Sequence, residues 1–163
     1  MGVEPASRRA TDRLMLISIR PRHVDRILDG SKTIELRRTR PLVVPGQQML
    51  IYATTPTAAI VARCRLRAVE TSVPLEVWLR HHARLGVSRA EFDAYYSDAK
   101  SAVALHLEHV EPLLQPVTLG ALRARRRFQP PQTWHFLARE AAELMLGQAN
   151  RPAPAAPSRA VPA

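Results

Sequence analysis

One cysteine, Cys64, stands in 163 residues, so no disulfide forms within the chain and no thiolate cluster can hold a metal. Lysine is nearly as scarce: Lys32 and Lys100 are the only lysines among 24 basic side chains. That bias, with abundant Ala and Pro, fits a GC-rich coding sequence and weakens arguments from arginine number alone. No apolar run approaches the roughly 18 residues that a membrane span needs. "LMLISI" is too short for a secretion signal and runs into Arg20 and Pro21. A glycine-rich phosphate loop, a Gly-x-Ser-x-Gly elbow and internal repeats are also missing. These absences argue against a disulfide scaffold, a membrane span, a P-loop enzyme and a serine hydrolase, and leave a cytoplasmic domain as the expectation.

What the chain has in excess is positive charge, +10 net with a pI near 11.2. Such a surplus favours a polyanionic partner, nucleic acid before an acidic membrane surface. It is unevenly placed. Residues 1–40 carry +5, 41–73 carry +2, 74–111 carry −2 and 112–163 carry +5. A polyanion is therefore expected to meet the body of the domain and not its middle segment.

Residues 1–12 and the Pro/Ala-rich stretch 148–163 lack periodicity and read as flexible ends, which leaves one domain over 13–147. Within it, 14–20 reads as a strand, and Pro21 opens a helix that Asp29-Gly30 stops. "KTIELRRTR" (32–40) alternates as a strand, and "QMLIYA" (48–53), apolar on both faces, reads as a central one. In 59–69, Ile60, Ala62, Cys64 and Leu66 point one way and Arg63, Arg65 and Arg67 the other. Pro74 starts a helix, and Ser88 with Glu91 caps a second that carries Phe92 and Tyr95 or Tyr96. A strand over 101–110, a short helix near 118–124, the strand-like "TWHFL" and a helix over 138–147 complete the domain. Many strands with short connections and a two-helix excursion predict a small mixed barrel of the α+β class.

The densest chemistry lies in "GSKTIELRR" (30–38). Ile34 and Leu36 share one strand face; Glu35 and Arg37 share the other, and the Lys32 stem can bend round toward Glu35. Lysine supplies a point charge for phosphate, arginine a paired donor for a phosphate or base edge, and glutamate can hold both cations. Arg38 follows directly. Tyr52 and Thr54, at the end of a central strand, and Trp134, after a Pro-Pro-Gln turn, are candidates to stack on or hydrogen-bond a base. Arg63, Arg65 and Arg67, and the block Arg125, Arg126 and Arg127, are candidates for phosphate contact. No metal is expected, because His81 and His82 diverge on a helix while His106 and His109 fall on opposite strand faces.

Gly30, Lys32, Glu35 and Arg37 complete a Gly-x-Lys-x-x-Glu-x-Arg motif. With "VPGQQMLIYATTP" and a late "FQPPQTWHFL", the chain resembles the ASCH domain of the PUA-like superfamily from about residue 14 to 138. The resemblance implies a PUA-like β-barrel of five to six strands with flanking helices, no cofactor, and a cleft lined by the motif that accepts RNA or a nucleotide-type ligand. DNA is the second choice of partner. It also implies alternatives, since some relatives are amidohydrolases of N4-acetylcytidine or ribonucleases. In the amidohydrolase a threonine stands three residues after the lysine, where this chain has Glu35. In a ribonuclease Lys32 would stabilise the phosphorane and Glu35 act as base. A partner-binding regulatory module using the arginine-containing tails is a third class. Read together, these features favour a site that binds over one that cuts.

Overall fold

The computed structural model describes residues 12–150; the expectations for residues 1–11 and 151–163 lie outside the described residues. Strand β1 (Arg13–Ile19) is buried at six of its seven positions because both its faces are covered. Pro21 opens helix α1 (Pro21–Asp29), and Gly30 ends it at φ 84°, a left-handed conformation that glycine adopts without strain. Then come β2 (Ile34–Arg37), β3 (Gln48–Ala53) and β4 (Ala59–Ser72). The excursion is α2 (Pro74–His81) and α3 (Arg89–Tyr95), followed by β5 (Ala102–Thr118), α4 (Leu119–Arg125), β6 (Trp134–Ala138) and α5 (Arg139–Leu146).

The strands form one sheet in the order β2-β5-β4-β3-β1-β6. β1 and β3 run parallel, and the other neighbours are antiparallel. Register shifts between β4 and β5 at three places bend these two long strands. The sheet curls until the Arg37 side chain of β2 reaches the backbone of β1, its Nη2 donating to the Ser18 carbonyl at 2.8 Å. β2 and β6 are the two edges of the sheet and do not pair with each other, so the barrel keeps an open seam between them. Arg37 crosses it to reach β1, the strand beside β6. The expected PUA-like α+β barrel is thus a curled six-stranded sheet closed at this seam by side chains.

Three apolar clusters hold it. Met15, Ile17, Met49, Ile51, Leu66 and Leu105 pack inside the curl beneath Val24 and Ile27 of α1. Leu14, Leu16, Leu50 and Ile60 pack outward against Leu122, Phe128 and Met145. Ile34, Leu36 and Ala104 pack under Val77, Leu85 and Phe92 of the excursion.

Four expectations change in detail. The strand expected over 32–40 is confined to 34–37, because the Lys32 N–H turns back to the Arg26 carbonyl and Thr33 to Arg84. The strand expected over 101–110 runs on to Thr118, past Pro112, which sits where the β4–β5 register slips. Ile60 leaves the face of Ala62 and Cys64 and joins the outer cluster, because a register shift lies between it and Ala62. Packing also extends past Gly147: Asn150 is buried and its side-chain amide donates to the Gln115 and Leu146 carbonyls.

The Ser88–Glu91 capping box forms and fixes the register of α3. It sends Phe92 and Tyr96 into the core and leaves Tyr95 partly exposed. The Tyr96 hydroxyl donates to the Arg37 carbonyl at 2.9 Å, tying the excursion to β2. Tyr96→Phe strands that buried carbonyl, so we expect it to cost about 1–2 kcal/mol, read as a lower urea midpoint at unchanged m-value.

Candidate ligand cavity at the barrel seam

Glu35 and Arg37 pair with Leu105 and Val103 across the β2–β5 ladder, and opposed residues of a ladder share a face. Leu105 and Val103 belong to the inner cluster, so the two charged side chains point into the curl at its open edge. Both are buried, at 7% and 9% exposed. Arg37 Nη2 donates to Glu35 Oε1 at 2.9 Å as well as to the Ser18 carbonyl. Its Nε is buried with no hydrogen-bond partner among the described residues.

Lys32 is 2% exposed. Its ammonium donates to the Leu85 carbonyl at 2.7 Å and lies 3.5 Å from Glu35 Oε2. One carboxylate therefore holds two buried cations. Burial pushes the Lys32 pKa below its usual value; Glu35 opposes this, and the nearby Arg37 and Arg26 add to it. Room for the lysine stem comes from Gly86, at φ 64°, where a Cβ would sit 2.8 Å from Lys32 Cβ. Real Cβ atoms do not come so close, so Gly86 is required both by its backbone and by its neighbour. Arg26 clamps the same loop by donating to the Gly86 carbonyl.

These groups floor a cavity of about 430 Å³. Its walls are Ser18, Ile19 and Thr54 from the sheet, Arg22 and His23 from α1, Glu91 and Tyr95 from α3, and Gln132 and Thr133 before β6. Arg22 and Glu91 pair at 2.8 Å and join α1 to α3 at its wall. His23 Nδ1 is buried without a hydrogen-bond partner among the described residues. Burial, then the charge of Lys32, lowers the His23 pKa, so its imidazole is neutral at neutral pH. Burial raises the Tyr95 pKa and keeps its hydroxyl protonated.

Of the residues singled out in the sequence, Lys32, Glu35, Arg37 and Thr54 meet here. Gly30 acts one step back, as the cap that turns the chain into the motif. The others go elsewhere. Tyr52 is 3% exposed and packs toward Phe128 in the outer cluster, because its strand parity sends it away from the curl. Trp134 is half-buried against the inner cluster, paired with Ile17 and outside the cavity lining. Arg38 is exposed beyond the end of β2. Arg63 and Arg65 line a second cavity, of about 260 Å³, floored by Leu14 and Leu50 of the outer cluster. Arg63 donates to the Asn150 carbonyl, and Arg65 faces Glu108 at 3.8 Å. Arg67 lies against His106. Arg125 holds the Leu144 and Met145 carbonyls at the end of α5, while Arg126 and Arg127 are exposed beyond α4. Sequence reasoning passed over His23, Tyr95 and Ser18; the capping box, which sets the register of α3, was the signal that could have found Tyr95.

Removing a carboxylate that holds two buried cations leaves charge without compensation. We expect Glu35→Gln to cost roughly 3–5 kcal/mol in chemical denaturation. The double variant Glu35→Gln/Lys32→Met should recover part of that loss, and equal losses in both would refute the lysine–glutamate coupling. Lys32 also gives a pH signature. Because its pKa is lower folded than unfolded, the unfolded chain binds the extra proton, and stability rises with pH from the folded value up to about 10.5. Lys32→Met lacks this contribution, so the stability difference should move toward the parent between neutral pH and pH ~10.5.

Residues 17–114 match the family model of the ASCH domain. A curated relative, an ASCH domain-containing ribonuclease of Zymomonas mobilis, is 29% identical over 132 residues, which cover 80% of this chain and 88% of the relative. The crystal structure of ASCH from Zymomonas mobilis superposes with a TM-score of 0.74 at 29% identity, over 78% of this chain and 90% of that one. The large ribosomal subunit protein uL22 of Ureaplasma parvum is 28% identical over 96 residues, 58% of this chain and 30% of that protein. With the Gly30–Arg37 motif assembled at the seam of a PUA-like sheet, the chain belongs to the ASCH domain family.

Proposed function

We propose that this chain binds RNA and seats one unpaired nucleotide in the seam cavity. The observation that carries the reading is the Arg37 Nε–H, a buried donor with no partner among the described residues, on the floor of a charge cluster otherwise satisfied. A buried unpaired donor is costly, and a base carbonyl or phosphate oxygen would satisfy it. The cavity volume falls within the usual range for small-ligand sites. Tyr95, half-exposed on the wall, offers a face for a base to stack on, and stacking is tolerant of sequence. The relative named as a ribonuclease supports an RNA-related role, and the net charge of +10 supports a polyanion.

A second reading, cleavage of RNA, is favoured by the same relative and by the neutral imidazole of His23 in the wall. Glu35 already holds Lys32 and Arg37, so His23 is the better-placed base. It would take the proton of a ribose 2′-hydroxyl as the 2′-oxygen bonds to phosphorus. The phosphorus–5′-oxygen bond then breaks, and the leaving oxygen takes a proton from water. The amidohydrolase reading has less support, since Glu35 occupies the threonine position and Thr33 lies outside the cavity lining.

Anisotropy with labelled single-stranded RNA at two salt concentrations tests binding. Tyr95→Ala should weaken affinity roughly 5- to 100-fold with little change in salt slope, and Arg37→Ala should weaken it too, with both folds verified by circular dichroism. If both bind like the parent, RNA does not use this cavity. Gel analysis of the same RNA tests cleavage: His23→Ala should stop any turnover, and turnover that persists assigns the chemistry elsewhere.

A further inference from the structure

Glu70 of β4, His106 of β5 and His81 at the end of α2 converge away from the seam cavity. His106 pairs with Ile34, and Glu70 with Ala104, so both side chains lie on the sheet face that the excursion covers. Glu70 Oε2 is 2.8 Å from His81 Nε2 and 3.4 Å from His106 Nε2. One donor atom from each residue lies within 4.8 Å of the other two. None of this is visible in the spacing of the histidines, because the partners of each are brought in by other elements.

Two imidazoles and a carboxylate suit a borderline divalent cation, zinc above all. Bonds of about 2.0–2.1 Å in a tetrahedron put ligand atoms roughly 3.3 Å apart, and the two spacings at Glu70 Oε2 bracket that value. Arg80 Nη2 lies 2.6 Å from the other carboxylate oxygen, Oε1, and so turns Oε2 toward the imidazoles. Arg67 Nη2 lies 3.2 Å from His106 Nδ1. A guanidinium only donates, so with Arg67 in place Nδ1 accepts and the ring proton sits on Nε2, facing Glu70. A cation bound at Nε2 needs the other tautomer. Arg67 must then let go, and being exposed it can turn to water. Arg67 is therefore a competitor of the metal.

We propose that Glu70, His81 and His106 form a binding site for a zinc-class divalent cation, which ties helix α2 to the β4–β5 pair. The site is independent of the RNA reading, and its test needs no activity. The purified chain is stripped with chelator and titrated with zinc by calorimetry, and with cobalt(II) by its visible absorption. The parent should take up one equivalent with a Kd below about 10 µM. His81→Ala and His106→Ala should each weaken binding by more than the roughly 10- to 100-fold that outer-sphere changes produce. Glu70→Gln, nearly the same shape, should do so too with the fold retained, as judged by melting in chelator. His109→Ala should bind like the parent, and Arg67→Ala more tightly. No saturable uptake by the parent, uptake that survives loss of both His81 and His106, or weaker binding by Arg67→Ala would each overturn the proposal.

Discussion

The Glu35 carboxylate holds this structure together at the place where its backbone does not. The edge strands β2 and β6 do not pair, and side chains bridge the gap: Lys32 to Glu35, Glu35 to Arg37, and Arg37 to the Ser18 carbonyl of β1, the strand beside β6. Ionic groups out of water are costly, and a buried pair is weak evidence for stability as such. Here the geometry assigns them a different task, which is to span a gap that main-chain hydrogen bonds leave open. Seam and charge cluster are one feature, since a closed ladder would leave no space for the cavity.

The two-helix excursion belongs to the same arrangement. It gives the Leu85 carbonyl to Lys32, the Tyr96 hydroxyl to the Arg37 carbonyl and Tyr95 to the cavity wall. Its mildly acidic character, seen in the charge distribution, has a local counterpart in Glu91, which faces Arg22 across the wall. The body contributes the cations, and the excursion orients and covers them.

Much of this was legible in the sequence. Pro and Gly marked the ends of α1, alternation marked the strands, and the Ser88–Glu91 box marked α3. The motif led to the buried charge cluster because its residues are near neighbours in the chain, and short-range spacing is what periodicity can read. What it could not read was set by curvature. The register slips in β4 and β5 moved Ile60 to the outer face and carried the second strand on past Pro112. Tyr52 read as a cleft aromatic until its parity in β3 put it against Phe128. The arginine stripe of β4 was seen correctly as a stripe, but which cavity it borders depends on how the sheet curls. The convergence of Glu70 with His81 and His106 lies beyond any local pattern, because three elements must fold before those atoms meet.

Gly86 and Lys32 occupy a single space, the stem of one filling the side-chain position that the other lacks. Neither position can drift alone. A bulkier residue at the glycine would expel the lysine, while a shorter residue at the lysine would leave an empty slot beneath the loop. Over evolutionary time the two positions should change together or not at all, although they sit in opposite halves of the motif-to-excursion segment and share no secondary-structure element. A mismatch between them in a related sequence would mark a seam rebuilt around different chemistry.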